Sequence, residues 1–133
     1  MNRKIELVEV SPRDGLQNEP GIVPTSVKAE LIQRLMDAGL RRIEVASFVN
    51  PKKVPQMADA EELLAALPRN SGVCFTGLVL NQRGFERALA AGCHEIGMVV
   101  VASDTFNRRN QGASTEESIA AWLAIAREAE SAG

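Results

Sequence analysis

The feature that most constrains this chain is an alternation of short aliphatic runs with longer segments of helical periodicity, repeated four times along 133 residues. Residues 5–10 (IELVEV), 42–46 (RIEVA), 73–80 (VCFTGLVL) and 95–102 (EIGMVVVA) are rich in β-branched and aliphatic side chains and read as strands. Residues 27–38 place Val27, Leu31, Leu35 and Ala38 on one helical stripe. The N-cap types Thr25 and Ser26 precede this stripe, and Gly39 follows it as a C-terminal stop. Residues 58–67 read as a second helix ended by Pro68, and residues 82–91 as a third closed by Gly92. Ser114-Thr115-Glu116-Glu117 is a capping box that opens a last helix running through Trp122 to about Ala132.

Strands that alternate with helices imply a parallel sheet with right-handed crossovers. Two architectures fit: an open doubly wound sheet, or part of a (β/α)8 barrel. No GxGxxG follows the first strand, which removes the dinucleotide-binding form of the open sheet. In both architectures functional groups gather at the C-terminal ends of the strands.

Composition narrows the partners. Fifteen basic residues against 17 acidic ones give a formal net charge of -2, without the basic excess of a nucleic-acid binder. No basic amphipathic segment points to a membrane surface, and no segment reaches the ~20 apolar residues of a membrane span. The N-terminus shows no leader pattern, so the cytoplasm is the expected location. Cys74 and Cys93 lack CxxC spacing and read as reduced, mostly buried thiols.

The strand ends carry the informative residues. After the first strand comes SPRDGLQNEPG, with Arg13 and Asp14 a few residues past Val10. An Asp-Gly pair also suits an ordinary polar turn. What favours chemistry is a fixed cation beside a carboxylate at the site-forming end of a parallel strand. Glu44 lies inside the second strand, where a carboxylate is costly to bury unless paired; near the top of a barrel lumen it can reach Arg13. The alternative is a glutamate on a solvated edge. Arg108 and Arg109, in the segment after the fourth strand, can meet a phosphate but read better as part of a solvated loop. His94, the only histidine, precedes the fourth strand at the opposite face, where residues serve stability.

The segments VEVSPRDGLQNE, IEVASFVNPKKVPQM, FNRRN and STEES resemble the hydroxymethylglutaryl-CoA lyases in order and spacing, over residues 4–133. RDGLQNE and SFVNPKKVPQM are each specific to that family. Isopropylmalate and homocitrate synthases share the RDG core but usually read RDGEQ, and Leu16 favours the lyase.

The resemblance implies an α/β fold of the TIM (β/α)8 barrel family. Residues 1–133 would cover about the first four βα units, the N-terminal half of a pyruvate carboxyltransferase-like domain. It implies a divalent metal, Mg or Mn, and cleavage of 3-hydroxy-3-methylglutaryl-CoA to acetyl-CoA and acetoacetate, in leucine breakdown and ketone-body formation. Carried over by motif, Asp14 would be a metal ligand, Arg13 would stabilise the developing enolate and bind substrate, Glu44 would hold the cluster, and Gln17 would contact the substrate. The family's His-x-His pair, Asn ligand and catalytic-cysteine loop have no counterpart in these residues, and neither Cys74 nor Cys93 lies in such a loop. A barrel takes ~250 residues, so the chain is expected to be incomplete for catalysis and to associate, as a homo-oligomer, through its open inner face. The alternatives are an acyl-CoA-condensing synthase of the same superfamily and a non-catalytic half-barrel binding module.

Overall fold

The computed structural model describes residues 4–133. The leader-free reading of the N-terminus falls partly on residues 1–3, which lie outside the described residues.

Three parallel strands form the sheet in the order β1 (Arg42–Ser47), β2 (Cys74–Leu78), β3 (Glu95–Gly97). A single parallel bridge, Glu9 to Ile43, lays the chain around Glu9 along the free edge of β1. Spatial order therefore follows sequence order, with no reversal. A doubly wound sheet needs such a reversal; a barrel wall does not.

The helices are α1 (Thr25–Asp37), α2 (Ala60–Ala66), α3 (Gln82–Ala91), α4 (Asp104–Gln111) and α5 (Thr115–Ala132). On one side of the sheet α1 packs on α2, α2 on α3, and α3 on α5. The core lies between that helical layer and the strands, where Ile43, Val45, Phe75 and Val79 meet Ile32, Leu63, Phe85 and Ile125. The other face is polar. Glu44 and Glu95 both align with Thr76 in the register. The Thr76 hydroxyl is the one buried side-chain oxygen without a partner among the described residues.

Several expected elements are shorter than their sequence pattern. Residues 5–10 form only the Glu9 bridge, with Ile5 85% exposed and Leu7 also exposed. The fourth expected strand, 95–102, is extended only over Glu95–Gly97. Both runs have the composition of strands, but a strand is completed by the partner's hydrogen bonds. Among the described residues each run has a neighbour on one side only. The second helix is confined to Ala60–Ala66 and stops at Leu67 before Pro68. The helical stripe on α1 is also displaced: Val27 is half exposed, and the buried pair is Lys28 and Ile32.

Two segments whose sequence suits a loop are helical. Ser11–Gly15 is a π-helical turn with Pro12 in its first turn, a geometry that often marks functional sites. The stretch after β3 contains α4, capped by Ser103, which accepts from the Phe106 amide at 3.4 Å, and closed by Gly112 at φ 76°. The third helix matches its expected span. The α5 capping box is complete, with Ser114 Oγ accepting from Glu117 N and Glu117 returning to Ser114 N.

Candidate functional site

Arg13 and Glu44 come together as expected from their places at strand ends. The π-helical turn returns the chain over the C-terminal end of the sheet. There Arg13 Nε donates to Glu44 Oε1. The side chains are 17% and 13% exposed, so Glu44 is not on a solvated edge. Pairing resolves the cost of burying either charge, and it fixes the guanidinium plane. Arg13 Nη1 also donates to Asp14 Oδ1 at 3.1 Å. The backbone N–H groups of Arg13 and Asp14 close on the Val10 carbonyl at 3.1 and 2.7 Å, and Asn18 Nδ2 donates to the Asp14 carbonyl at 2.7 Å. The turn is thus held at its start and its end.

Gln17 reaches the same place. Its Oε1 accepts from Ser47 Oγ at 3.1 Å, and Ser47, the last residue of β1, is fully buried. Opposite Glu44 the wall is Gly97, where an added Cβ would sit 3.8 Å from Glu44 Oε2. A cleft of about 410 Å³ opens above, lined by Arg13 and Gln17 together with Asn50, Leu78, Asn81, Val99 and Asn110. It offers one preorganised cation, several amides and an apolar patch. Such a site can bind an acyl group with polar oxygens and stabilise negative charge that develops beside Arg13.

Asp14 is 60% exposed, with one oxygen engaged by Arg13 and the other open. It is a hard oxygen donor of the kind magnesium or manganese takes. It stands alone, however: among the described residues no group of three or more His, Cys, Asp or Glu side chains converges to hold a metal.

The remaining sequence candidates fall outside the cleft. Arg108 pairs with Asp104 at 2.8 Å on the exposed side of α4. His94 accepts the Phe75 amide on Nδ1 at 3.0 Å and stacks on the Phe75 ring, which is a structural role. Cys93 donates its thiol toward the Glu95 carbonyl at 3.2 Å, and burial pushes its pKa up to about 12. Burial and the nearby Glu95 carboxylate also raise the Cys74 thiol. Both shifts favour the protonated thiol, the less nucleophilic form.

Sequence reasoning missed Ser47, Asn50, Asn81 and Asn110. Ser47 closes β1, and Asn50 and Asn81 lie three residues past the ends of β1 and β2, which was a usable signal; Asn110 lies in α4. Missed too was Lys28, only 1% exposed, whose Nζ donates to Asp59 Oδ1 and to the Gln56 carbonyl, both at 2.6 Å. Gln56 Nε2 in turn donates to the Glu19 carbonyl at 2.9 Å. One buried ammonium therefore ties the loop after β1 to the loop that carries Arg13.

A parallel wall in sequential order, with a paired arginine and glutamate at its C-terminal rim, defines an α/β partial barrel with its polar groups at the site-forming end. The chain belongs to the HMGL-like family, whose model matches residues 4–133. It is 47% identical over 130 residues to the mitochondrial hydroxymethylglutaryl-CoA lyase of Macaca fascicularis, covering 98% of this chain and 40% of that protein. It is 44% identical over 128 residues to the hydroxymethylglutaryl-CoA lyase of Pseudomonas mevalonii, covering 96% and 42%. The solved HMG-CoA lyase of Brucella melitensis superposes with TM-score 0.90 at 44% identity, covering 96% of this chain and 45% of that one. The Acinetobacter baumannii HMG-CoA lyase, solved with coenzyme A and 3-methylmalate, gives 0.88 at 40% identity, covering 92% and 40%. The chain thus spans about 40% of the length of the curated relatives it matches.

Proposed function

We propose that these residues serve a carbon–carbon lyase that cleaves 3-hydroxy-3-methylglutaryl-CoA to acetyl-CoA and acetoacetate. The observation that carries this is the Arg13 guanidinium, fixed by Glu44 beside a polar cleft at the rim of the barrel wall, in a chain of the HMGL-like family.

The reaction removes the proton of the tertiary hydroxyl and breaks the adjacent carbon–carbon bond. The hydroxyl carbon becomes the ketone of acetoacetate. The bonding pair passes to the thioester enolate, which takes a proton to become acetyl-CoA. Arg13 donates to the enolate oxygen as charge grows there. Because Glu44 holds it in place beforehand, little reorganisation is needed in the transition state. Glu44 is itself a positioning group. Gln17, anchored by Ser47, orients the acyl oxygens.

A divalent cation, Mg or Mn, when bound supplies Lewis-acid polarisation of the substrate oxygens. Asp14 would be one ligand, and its companions would come from outside the described residues, in keeping with the single open oxygen found here. Residues 1–133 are then the N-terminal half of the barrel domain. The exposed Ile5, Leu7, Val8 and Val10 at the β1 edge favour association with another half-barrel surface, in a homo-oligomer. Free, partly buried thiols favour a reducing compartment, with the cytoplasm the proposed one; no described helix is long and apolar enough to cross a membrane.

The test is acetoacetate release from 3-hydroxy-3-methylglutaryl-CoA by the native protein, with Mg²⁺ or Mn²⁺ added and then chelated. Metal-dependent release supports the reading. Condensation of acetyl-CoA with a 2-oxo acid, without cleavage, would transfer it to the synthase class.

A further inference from the structure

Val99, Asn110 and Gln111 form the part of the cleft lining that follows β3 in the chain. The run 98–102 has strand composition but lies past the end of the β2–β3 ladder. Side chains hold its backbone instead. The Val101 N–H donates to Asn107 Oδ1 at 3.0 Å, and the Val101 carbonyl accepts from Thr115 Oγ1 at 2.9 Å. The Val99 carbonyl accepts from Gln111 Nε2 at 2.6 Å.

Asn107 is the one buried residue of α4, and Phe106, the only large apolar side chain there, is 57% exposed. Hydrogen bonds, not apolar packing, therefore seat this helix. Asn107 Nδ2 donates to the Ala113 and Ser114 carbonyls at 2.9 and 3.0 Å and to Ser118 Oγ at 2.7 Å. The buried Ser118 hydroxyl donates in turn to Gln111 Oε1 at 3.3 Å. The backbone fixes every direction. The Val101 N–H can only donate and the carbonyls can only accept, which orients both amides. Ser118, between them, must accept from Asn107 and give its single hydrogen to Gln111. The relay thus runs from Val101 through Asn107, Ser118 and Gln111 to Val99, and closes on the segment where it began. Bonds aligned in this way polarise and strengthen one another.

We infer that Asn107, acting through Ser118 and Gln111, is a positioning residue that sets the α4 wall of the acyl cleft. This rests on the proposed lyase reading, in which the cleft takes the acyl group, and adds what holds the wall around that group. The Arg13 and Glu44 side chains bond each other and Asp14, and no residue of α4. The relay therefore governs the fit of the acyl group and leaves the reacting cation in place.

The test is steady-state cleavage of 3-hydroxy-3-methylglutaryl-CoA by the native protein and by Asn107→Ala, Ser118→Ala, Gln111→Met and the Ser118→Ala/Gln111→Met double variant, each checked for native circular dichroism. Ser118→Ala leaves the other bonds of Asn107 intact, so the two middle links carry the test where Asn107→Ala does not fold. Each single variant should raise KM by about three- to tenfold, the size of one lost hydrogen bond, with kcat within about twofold of native. The double variant should be no worse than the larger single, because both links belong to one relay. KM within about twofold of native in the folded variants, even with a lowered urea midpoint, overturns the inference and leaves the lyase reading standing. Strict additivity of the two links overturns it as well. Native protein that binds the thioester in calorimetry without cleaving it, and binds it more weakly in the variants, would sink the lyase reading and keep the positioning role. Native protein that neither binds nor cleaves it overturns both.

Discussion

Lys28 gives the sharpest test of how the site is held. Its ammonium is buried on α1 and makes two short bonds at 2.6 Å, to the Asp59 carboxylate and the Gln56 carbonyl. Lys28→Met keeps most of the aliphatic stem and removes the charge. The Asp59 carboxylate, 20% exposed, is then left with the Thr25 hydroxyl at 2.7 Å and whatever water reaches it. Breaking a fully buried pair from one side costs about 3–5 kcal/mol. Partial exposure of Asp59 puts this case at the lower end, about 3 kcal/mol, which is a large share of the roughly 5–15 kcal/mol that holds a native protein together. The assay is urea unfolding of the native protein and three variants: Lys28→Met, Asp59→Asn and the double. The double variant should be less destabilised than the sum of the singles, by about 1 kcal/mol or more, because its partners share one interaction. A Lys28→Met cost under about 0.5 kcal/mol, the size of an ordinary surface change, or strict additivity in the cycle, would refute the reasoning. Since Gln56 also holds Glu19, the variant should raise hydrogen exchange in the loop carrying Arg13.

Three further outcomes follow from the packing. Gly77→Ala puts a Cβ 2.6 Å from the Phe48 ring and 3.0 Å from Cys93 Sγ; an overpacked core of this kind loses about 1–3 kcal/mol, measurable as a lowered urea midpoint. Cys93, its pKa raised to about 12 by burial, should stay unmodified by a thiol reagent at neutral pH until the protein unfolds, as read by mass spectrometry. Glu117 has its pKa lowered by the Ser114 backbone and side chain, and Asp104 by the Thr115 amide and then Arg108. A depressed folded pKa contributes stability that is full above the ordinary carboxylate range and is lost as pH falls through the lowered value. The α4–α5 junction should therefore loosen on the acid side, and Glu117→Gln, which keeps an acceptor for the Ser114 amide, should flatten that dependence in pH-resolved amide exchange.

Much of this architecture is legible in the sequence where the signal is local. The span of α3 and the α5 capping box are set by residues within a turn of each other, between Asn81 and Gly92 and between Ser114 and Glu117. The meeting of Arg13 with Glu44 was also accessible, because a parallel strand delivers its C-terminal residues to a known end. Extended pairing was not: residues 5–10 and 98–102 have strand composition, but composition cannot supply a neighbouring strand. Lys28 was hidden because its charge argues for solvent, and only the distant Asp59 and Gln56 reverse that preference. The helix α4 was hidden by its polar sequence, although Ser103 and Gly112 marked both ends. The amides of Asn50 and Asn81 carry no motif; their places three residues past β1 and β2 are the one sequence hint that they share a rim.

The central claim is that Arg13, fixed by Glu44, carries the chemistry, and steady-state kinetics of Arg13→Gln in the native protein tests it most directly. Cleavage of 3-hydroxy-3-methylglutaryl-CoA should fall in kcat by about 10²–10³, the usual loss of one preorganised donor, while KM and the circular dichroism stay near native. A kcat within a few fold of native in the folded variant would contradict the account.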